Sequence, residues 1–182
     1  REDQITALLE LDGLDVAYRT SAGPHRVVHD VSFDVQPGEV VLVQSAAGGV
    51  GLMALDMLCA LGARPVAVVG REAKRRFLIE HRGLSPDAVL VRDPRRFASQ
   101  LDAALAAAGA SGFDCVLDAV LGPTFRPAFN RLRPEGRHVI YGAADYMTHG
   151  ARPGYLRLLR RYLRRPRLDP ILRRPEVDEE LA

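Results

Sequence analysis

Apolar and polar positions alternate in blocks along this 182-residue chain. Val40 to Val43 is an uninterrupted apolar run, which is typical of a strand buried on both faces of a parallel sheet. Small residues follow this run, and Leu52 to Leu61 then has the pattern of a helix that ends at Gly62. Pro65 to Val69 is a second apolar strand. The segment from 37 to 70 therefore predicts a strand, a glycine turn, a helix and another strand.

The alternation of strands and helices continues after this segment. At this spacing it requires a parallel sheet with right-handed crossovers. We therefore predict an α/β fold, a Rossmann-type parallel sheet in the order 3-2-1-4-5 that lacks its last strand and carries helices on both faces. The further predicted helices are Ala73–His81, with Phe77 and Leu78 inward, Arg95–Ala108 and Phe125–Leu132, and the further predicted strands are Ala88–Val91, Phe113–Val120 and His138–Gly142.

The segment from 1 to 36 has a different pattern. Two strand-like runs, LLELDGLDVAYRT and HRVVHDVSFDVQ, are separated by a turn that contains Gly23 and Pro24. We predict a β-hairpin here, followed by the Rossmann-type domain over 37–147 and a basic tail over 148–182.

The tail predicts a basic amphipathic helix. Its apolar residues recur at helical spacing, and arginines occupy the other side. We expect this helix to dock on its own domain, and the pattern does not favour contact with a membrane surface or nucleic acid. Beyond Pro166 we expect an extended or frayed end. The apolar positions are Tyr155, Leu158, Leu159, Tyr162 and Leu163, and the basic ones are Arg157, Arg160, Arg161 and Arg164.

The glycine turn has the spacing of a dinucleotide fingerprint, AxGxxG, with Ala46 at the position of the first glycine. Ala46 allows a tight turn, Gly48 allows the backbone to approach a pyrophosphate, and Gly51 allows the helix to pack closely on the strand. The first amides of the helix would bind the phosphates. A tight turn that binds no ligand is the alternative. The predicted contacts are Ala46, Ala47, Gly48, Gly49, Val50 and Gly51.

The next strand ends without the carboxylate that NAD-selective domains place about 20 residues after the glycine turn. Gly70 occupies this position, and Arg71, Lys74 and Arg75 follow it. Three cations near the adenosine ribose suit a 2′-phosphate, so we predict NADPH rather than NADH. Glu72 weakens this prediction, and a solvated basic helix start is the alternative.

The segments PGEVVLVQSAAGGVG, ALGA, AVVGREAKRRFL, FDCVLDAVLGP, LRPEGRHVIYGAA and LRLLRRYLRRPRLDP together resemble the nucleotide-binding domain of the medium-chain dehydrogenase/reductase superfamily, in its zinc-free quinone-reductase-like branch. The resemblance covers about residues 37 to 170. It implies hydride transfer from NADPH to a quinone or another conjugated carbonyl, with the nicotinamide supplying the reactivity. It also implies a substrate domain before residue 37, so we expect the chain to be inactive alone. The residues implied at the nicotinamide and its ribose are Asp118, Ala119, Val120, Gly142, Ala143 and Ala144.

The remaining polar residues of the predicted crevice give no proton donor, and the catalytic residue stays unknown. Arg92 ends the third parallel strand and lies either against the adenine or at the surface. His138 lies inside a strand and is interpreted as structural, and Tyr141 belongs to the core or the crevice wall. The other histidines, His25, His29, His81 and His149, form no catalytic set.

The amino-terminal hairpin resembles the opening strands of an ATP-binding-cassette ATPase, and the two resemblances meet at the turn of Pro37, Gly38 and Glu39. A phosphate loop requires GxxxxGK[ST], whereas the only lysine of this chain is Lys74. ATP hydrolysis is therefore not favoured. A junction of two sequences at the shared turn is one interpretation.

Composition narrows the remaining classes. Cys59 and Cys115 each lie in an apolar run, which predicts buried free thiols rather than a disulfide scaffold. The chain shows neither metal-ligand spacing nor a run of about 20 apolar residues, so we expect no metal, no membrane span and a cytoplasmic location. A homo-oligomer is left open. The alternatives to a reductase domain are a non-catalytic nucleotide-binding or assembly module and an ATP-binding-cassette fragment.

Overall fold

The computed structural model describes residues 9–20, 23–142 and 171–173. Strands β1 (Leu9–Thr20) and β2 (Gly23–Val35) pair antiparallel and form a two-stranded sheet of their own. The predicted β-hairpin is therefore confirmed. Val35, the last residue of β2, is buried and joins the core of the following domain.

The domain after the hairpin is a six-stranded sheet with helices on both faces. Strands β3 to β6 begin within one residue of an apolar run identified in the sequence, whereas β7 begins six residues before its predicted strand. Its strands are β3 (Val40–Gln44), β4 (Arg64–Val69), β5 (Val89–Val91), β6 (Phe113–Asp118), β7 (Leu132–Ile140) and β8 (Ile171–Arg173), and its helices are α1 (Gly49–Ala60), α2 (Glu72–Arg82), α3 (Phe97–Ala107) and α4 (Phe125–Phe129).

The strand order is β5-β4-β3-β6-β7-β8. Strands β3 to β7 are parallel, and their order is the predicted 3-2-1-4-5. A sixth strand was not predicted, yet β8 pairs antiparallel with β7 through Val139 and Ile171. This strand lies in the segment that was expected to be extended or frayed, so the sheet continues into the predicted tail. Leu132 begins β7 and does not end a helix as predicted.

Two apolar layers cover the sheet because successive strand residues point to opposite faces. On one face, Leu55 and Leu58 of α1 and Leu78 of α2 pack against Val41 and Val43. On the other face, residues of α3 and α4 pack against Val40, Leu42 and Val116. The predicted inward position of Leu78 is therefore confirmed.

The neighbouring prediction for Phe77 is wrong. Phe77 is 38% exposed to solvent, and its ring stacks on that of His81 with the centroids 5.2 Å apart. The pair lies at i and i+4, where side chains meet along the outside of a helix. Phe77 therefore covers the surface of α2 and contributes little to the core.

The two cysteines differ in their surroundings. Cys115 is fully buried, and this burial raises the pKa of its thiol to about 12. Cys59 is exposed, contrary to the prediction, because it lies on the outer side of α1. Partial desolvation and the nearby Asp56 carboxylate raise the pKa of its thiol.

We expect a thiol reagent to modify only Cys59 in the folded protein. The raised pKa of Cys115 keeps its thiol protonated, and the thiolate is the reactive form. Mass spectrometry after alkylation at pH 8 should find one adduct on the native chain and two after unfolding in urea. The folded Cys59→Ser variant should give no adduct. A second adduct on the native chain would contradict the buried position of Cys115.

Candidate dinucleotide-binding site

The glycine turn between β3 and α1 is compact because backbone meets backbone within it. Ala46 donates its N–H to the carbonyl of Val68 at 3.0 Å, and Gly48 donates to the carbonyl of Ser45 at 2.8 Å. A Cβ on Gly51 would lie 2.5 Å from the Ser45 carbonyl oxygen and 2.7 Å from the Ala46 Cα. Only glycine fits at this position, so the predicted close packing of helix on strand is present.

The first turn of α1 presents free backbone donors. The helix begins at Gly49, and no side chain caps it at Gly48. The N–H groups of Gly49 and Val50 have no intrahelical acceptor because they belong to the first turn. Both residues are exposed, and a Cβ on Gly49 would meet nothing within 4 Å. An anion therefore has open access to a positively polarised helix end.

The turn lies where the strand order reverses, because β4 and β6 flank β3 on opposite sides. Ligands of open α/β sheets bind at this reversal, beyond the carboxyl ends of the strands. We call this end the carboxyl edge. There the residues after β6 and β7 meet closely: Tyr141 donates its N–H to the Asp118 carbonyl at 3.0 Å, and a Cβ on Gly142 would lie 2.9 Å from the Ala119 oxygen.

The predicted cations after β4 divide into two groups. Arg71 and Lys74 are exposed, and within the described ranges neither side chain makes an ion pair. Arg75 instead donates to the carbonyl of Val89 at 2.9 Å and to the carbonyl of Pro86 at 3.0 Å, and it pairs with Glu72 at 3.3 Å. Arg75 would have to give up these contacts to reach a phosphate, so Arg71 and Lys74 fit the predicted role better.

The contacts of Arg75 close the outer side of β5. The carbonyls of Val89 and Val91 point away from β4, and Gln100 donates its amide to the Val91 carbonyl at 2.8 Å. Gln100 also accepts the Asp93 N–H at 3.2 Å. An open cavity of about 310 Å³ lies against this closed side, and no residue of the glycine turn lines it. Arg92, half-buried at the end of β5, donates its N–H to the Val69 carbonyl at 2.8 Å.

Asp118 is placed differently from the sequence-based prediction. Its side chain is fully buried, and its Oδ1 accepts the N–H groups of Val120 and Leu121, both at 2.8 Å. Its Oδ2 lies 3.0 Å from Nε2 of His138, which is also fully buried. A carboxylate with these partners has no face turned to a ribose. Its place at the carboxyl edge was predicted correctly, whereas a direct side-chain contact with the cofactor does not fit this arrangement.

His138 is structural, as predicted, but its hydrogen-bond partner Asp118 was not predicted. The ring packs against both Phe125 and Phe129 of α4, with centroid distances of 4.8 and 6.1 Å. Tyr141 is half-buried, and burial together with the Asp118 charge raises the pKa of its phenol to about 12. Tyr141 therefore belongs to the wall of the carboxyl edge.

These observations define the chain as a Rossmann-type dinucleotide-binding domain. The matching family model is that of the zinc-binding dehydrogenases, and it covers residues 49–165. The chain belongs to this family, within the medium-chain dehydrogenase/reductase superfamily of oxidoreductases.

The similar proteins include a polyketide synthase and an enoyl reductase. The reducing polyketide synthase BOA9 of Botryotinia fuckeliana is 35% identical over 116 residues, which are 64% of this chain and 5% of the synthase. The crystal structure of the CurK enoyl reductase matches 59% of this chain and 30% of its own, with 31% identity and a TM-score of 0.51. The structure of a mycobacterial protein complexed with NADPH matches 68% of this chain and 37% of its own, with 30% identity and a TM-score of 0.52.

Across the described ranges, no three histidine, cysteine, aspartate or glutamate side chains come together as a metal site would require. No helix in the same ranges has the length and apolar character to cross a membrane. The predicted tail helix and the predicted cofactor contacts Ala143 and Ala144 lie outside the described residues.

Proposed function

We propose that this chain is the NADPH-binding domain of an enoyl-reductase-like oxidoreductase, which transfers hydride to a carbon–carbon double bond conjugated to a carbonyl. The observation that carries the proposal is the uncapped start of α1, where Gly49 and Val50 are exposed beside a turn that only glycine at position 51 can form. A pyrophosphate at this point would receive two or more backbone hydrogen bonds. The ATP-binding-cassette resemblance of the hairpin stays a prediction.

The choice of NADPH over NADH is supported by charge. Arg71 and Lys74 are exposed at the start of α2, next to the carboxyl end of β4. In this fold, the adenosine ribose lies near that strand end. A 2′-phosphate carries almost two negative charges, and two nearby cations would favour it over a hydroxyl. One similar structure contains NADPH, which agrees with this choice.

Titration of both cofactors tests the proposal. We expect NADPH to bind the 182-residue chain at least about tenfold more tightly than NADH, since each charge-assisted contact contributes roughly 1.5–3 kcal/mol. Arg71→Ala and Lys74→Ala should each weaken NADPH binding by about tenfold and leave NADH binding nearly unchanged.

Arg76→Ala is the matched control, because Arg76 is an exposed cation of the same helix that is not among the proposed contacts. Its effect on NADPH should be smaller than about twofold, as expected for a screened surface charge. Equal binding of NADH and NADPH would refute the assignment. Equal losses from all three variants would show that only general charge matters.

The substrate class rests on the named relatives. The resemblance alone suggested a quinone or another conjugated carbonyl, whereas the similar CurK protein is an enoyl reductase. We therefore place an enoyl thioester first and a quinone second. Absorbance at 340 nm with crotonyl-CoA and with a simple benzoquinone would separate the two substrates, once a complete polypeptide containing this domain is assayed.

A nucleotide-binding module without its own catalysis is the second candidate. At the carboxyl edge, among the described residues, both Asp118 and His138 are fully buried, and burial raises the pKa of Tyr141 to about 12. These groups support cofactor placement more directly than proton donation to a substrate. Cofactor binding without hydride transfer in the complete polypeptide would favour this candidate.

A further inference from the structure

A buried polar pair lies directly beneath the loop that follows β6. Asp118 and His138 are both fully buried, on adjacent strands and on the same face of the sheet, with Oδ2 and Nε2 3.0 Å apart. A buried carboxylate is stable only when donors satisfy it. Three donors meet this one: His138 Nε2 and the N–H groups of Val120 and Leu121.

The arrangement around His138 fixes which nitrogen carries the proton. Nε2 must donate, because the Asp118 carboxylate facing it only accepts. Nδ1 is buried and has no hydrogen-bond partner within the described part of the chain, which suits a lone pair better than a second N–H. Phe125 and Phe129 both pack against the ring. His138 Nε2 is therefore the donor to Asp118.

The loop needs this support because its backbone is strained. Leu121 has φ 58° and ψ −141°, a region that side chains other than glycine rarely occupy. Gly122 follows with φ 66°. The two N–H bonds from Val120 and Leu121 to Asp118 Oδ1 hold this conformation, and His138 fixes the carboxylate that accepts them.

The loop also forms one side of the carboxyl edge. Gly142 lies against Ala119 so closely that a Cβ there would clash, and the Asp118 carbonyl accepts the Tyr141 N–H. The ends of β6 and β7 are therefore packed together as one unit. A dinucleotide whose phosphates lie at the start of α1 would extend its nicotinamide half towards this unit.

We propose that His138 is a positioning residue: through Asp118 it sets the backbone of residues 119–121 against which the nicotinamide half of NADPH lies. This inference rests on the proposed function. It assigns His138 no contact with the cofactor and no part in proton transfer.

Three variants test the role. His138→Phe keeps an aromatic ring packed against Phe125 and Phe129 and removes the donor. His138→Gln replaces the ring but keeps an amide donor at a similar reach, so it should restore the bond to Asp118. His138→Asn is one carbon shorter than Gln, and its amide should not reach the carboxylate, so it decides the question if the Phe variant does not fold.

Hydrogen exchange on the free 182-residue chain measures the protection of the loop amides directly. In His138→Phe, we expect the amides of Val120 and Leu121 to exchange about tenfold faster, because a charge-assisted bond supporting them is lost. The amides of β3 and β4 should be unchanged, and His138→Gln should return the loop amides to within about threefold of the parent. A uniform increase over the whole sheet would overturn the proposal in favour of a general structural role.

Binding then separates the two halves of the cofactor. His138→Phe should weaken NADPH binding about tenfold and change the binding of 2′-phospho-ADP-ribose, which lacks nicotinamide, by less than about twofold. Equal losses for both ligands would overturn the proposal. If the parent chain bound neither ligand, the proposed function would fail, while the exchange of the loop amides would still report the role of His138.

Discussion

Gly51→Ala is expected to lose about 100-fold in NADPH affinity and about 2–3 kcal/mol in the free energy of unfolding. The added Cβ would lie 2.5 Å from the Ser45 carbonyl oxygen and under 3 Å from two backbone atoms of Ala46. Backbone atoms cannot rotate aside as a side chain can, so the turn must shift. The amides at the start of α1 would then lose the alignment that a pyrophosphate requires. Isothermal titration with NADPH and urea unfolding measure the two effects.

Gly49→Ala is the matched control for this result. Its Cβ would meet nothing within 4 Å, and alanine favours a helix more than glycine does. The unfolding free energy should therefore stay within about 1 kcal/mol of the parent value. If both variants unfolded alike, the clash at Gly51 would not be the cause. If Gly51→Ala bound NADPH like the parent, the turn would not be the phosphate site.

The second large effect is expected at the ion pair between Glu39 and Arg137. Their Oε2 and Nη2 atoms lie 2.5 Å apart, and only 13% and 10% of the two side chains are exposed. The pair joins the entry of β3 to β7, two segments 98 residues apart in the chain. Arg137→Met should lower the free energy of unfolding by about 3–5 kcal/mol, because the Glu39 carboxylate would remain buried without this partner. Urea unfolding followed by circular dichroism measures the loss.

Two further variants show whether the loss comes from the unpaired charge. In Glu39→Met/Arg137→Met, most of the stability should return, since apolar side chains of similar volume replace buried pairs with little loss. Arg96→Met breaks an ion pair with Asp93 in which 76% of the arginine side chain is exposed, and it should lose less than about 1 kcal/mol. A double variant as unstable as Arg137→Met would show that the arginine contributes through packing instead.

The pattern of the sequence predicted the central part of the fold well because each central strand is apolar on both faces. Val40 to Val43 and Pro65 to Val69 were identified on this basis, and the strand order followed from the rules for parallel crossovers. The spacing of Ala46, Gly48 and Gly51 likewise predicted a close helix–strand contact, which the geometry at Gly51 confirms.

The edges of the fold could not be predicted in the same way. β8 has three residues, Ile171 to Arg173, too few for a period-two pattern to be seen. Cys59 and Phe77 are apolar residues on the outer sides of their helices. Because apolar residues are also common on protein surfaces, their residue types did not predict this exposure. For β8, the decisive information is its pairing with β7, which the local pattern does not contain.

The polar residues near the site show the same limit. Asp118 was correctly placed at a strand end, but its partner depends on which face it shares with His138 of the neighbouring strand. The register between the two strands sets this face, and the sequence of one strand alone does not determine the register. Arg75 resembled a phosphate ligand by position, whereas its contacts depend on Val89, 14 residues further on.

The closed side of β5 limits how this protein can associate with other chains. An exposed strand edge normally offers alternating N–H and carbonyl groups to which a foreign strand can add. Here the guanidinium of Arg75 and the amide of Gln100 already occupy the outward carbonyls of Val89 and Val91. An incoming strand would have to displace both side chains before its first ladder bond could form, so fibril-like growth of the sheet is blocked at this end.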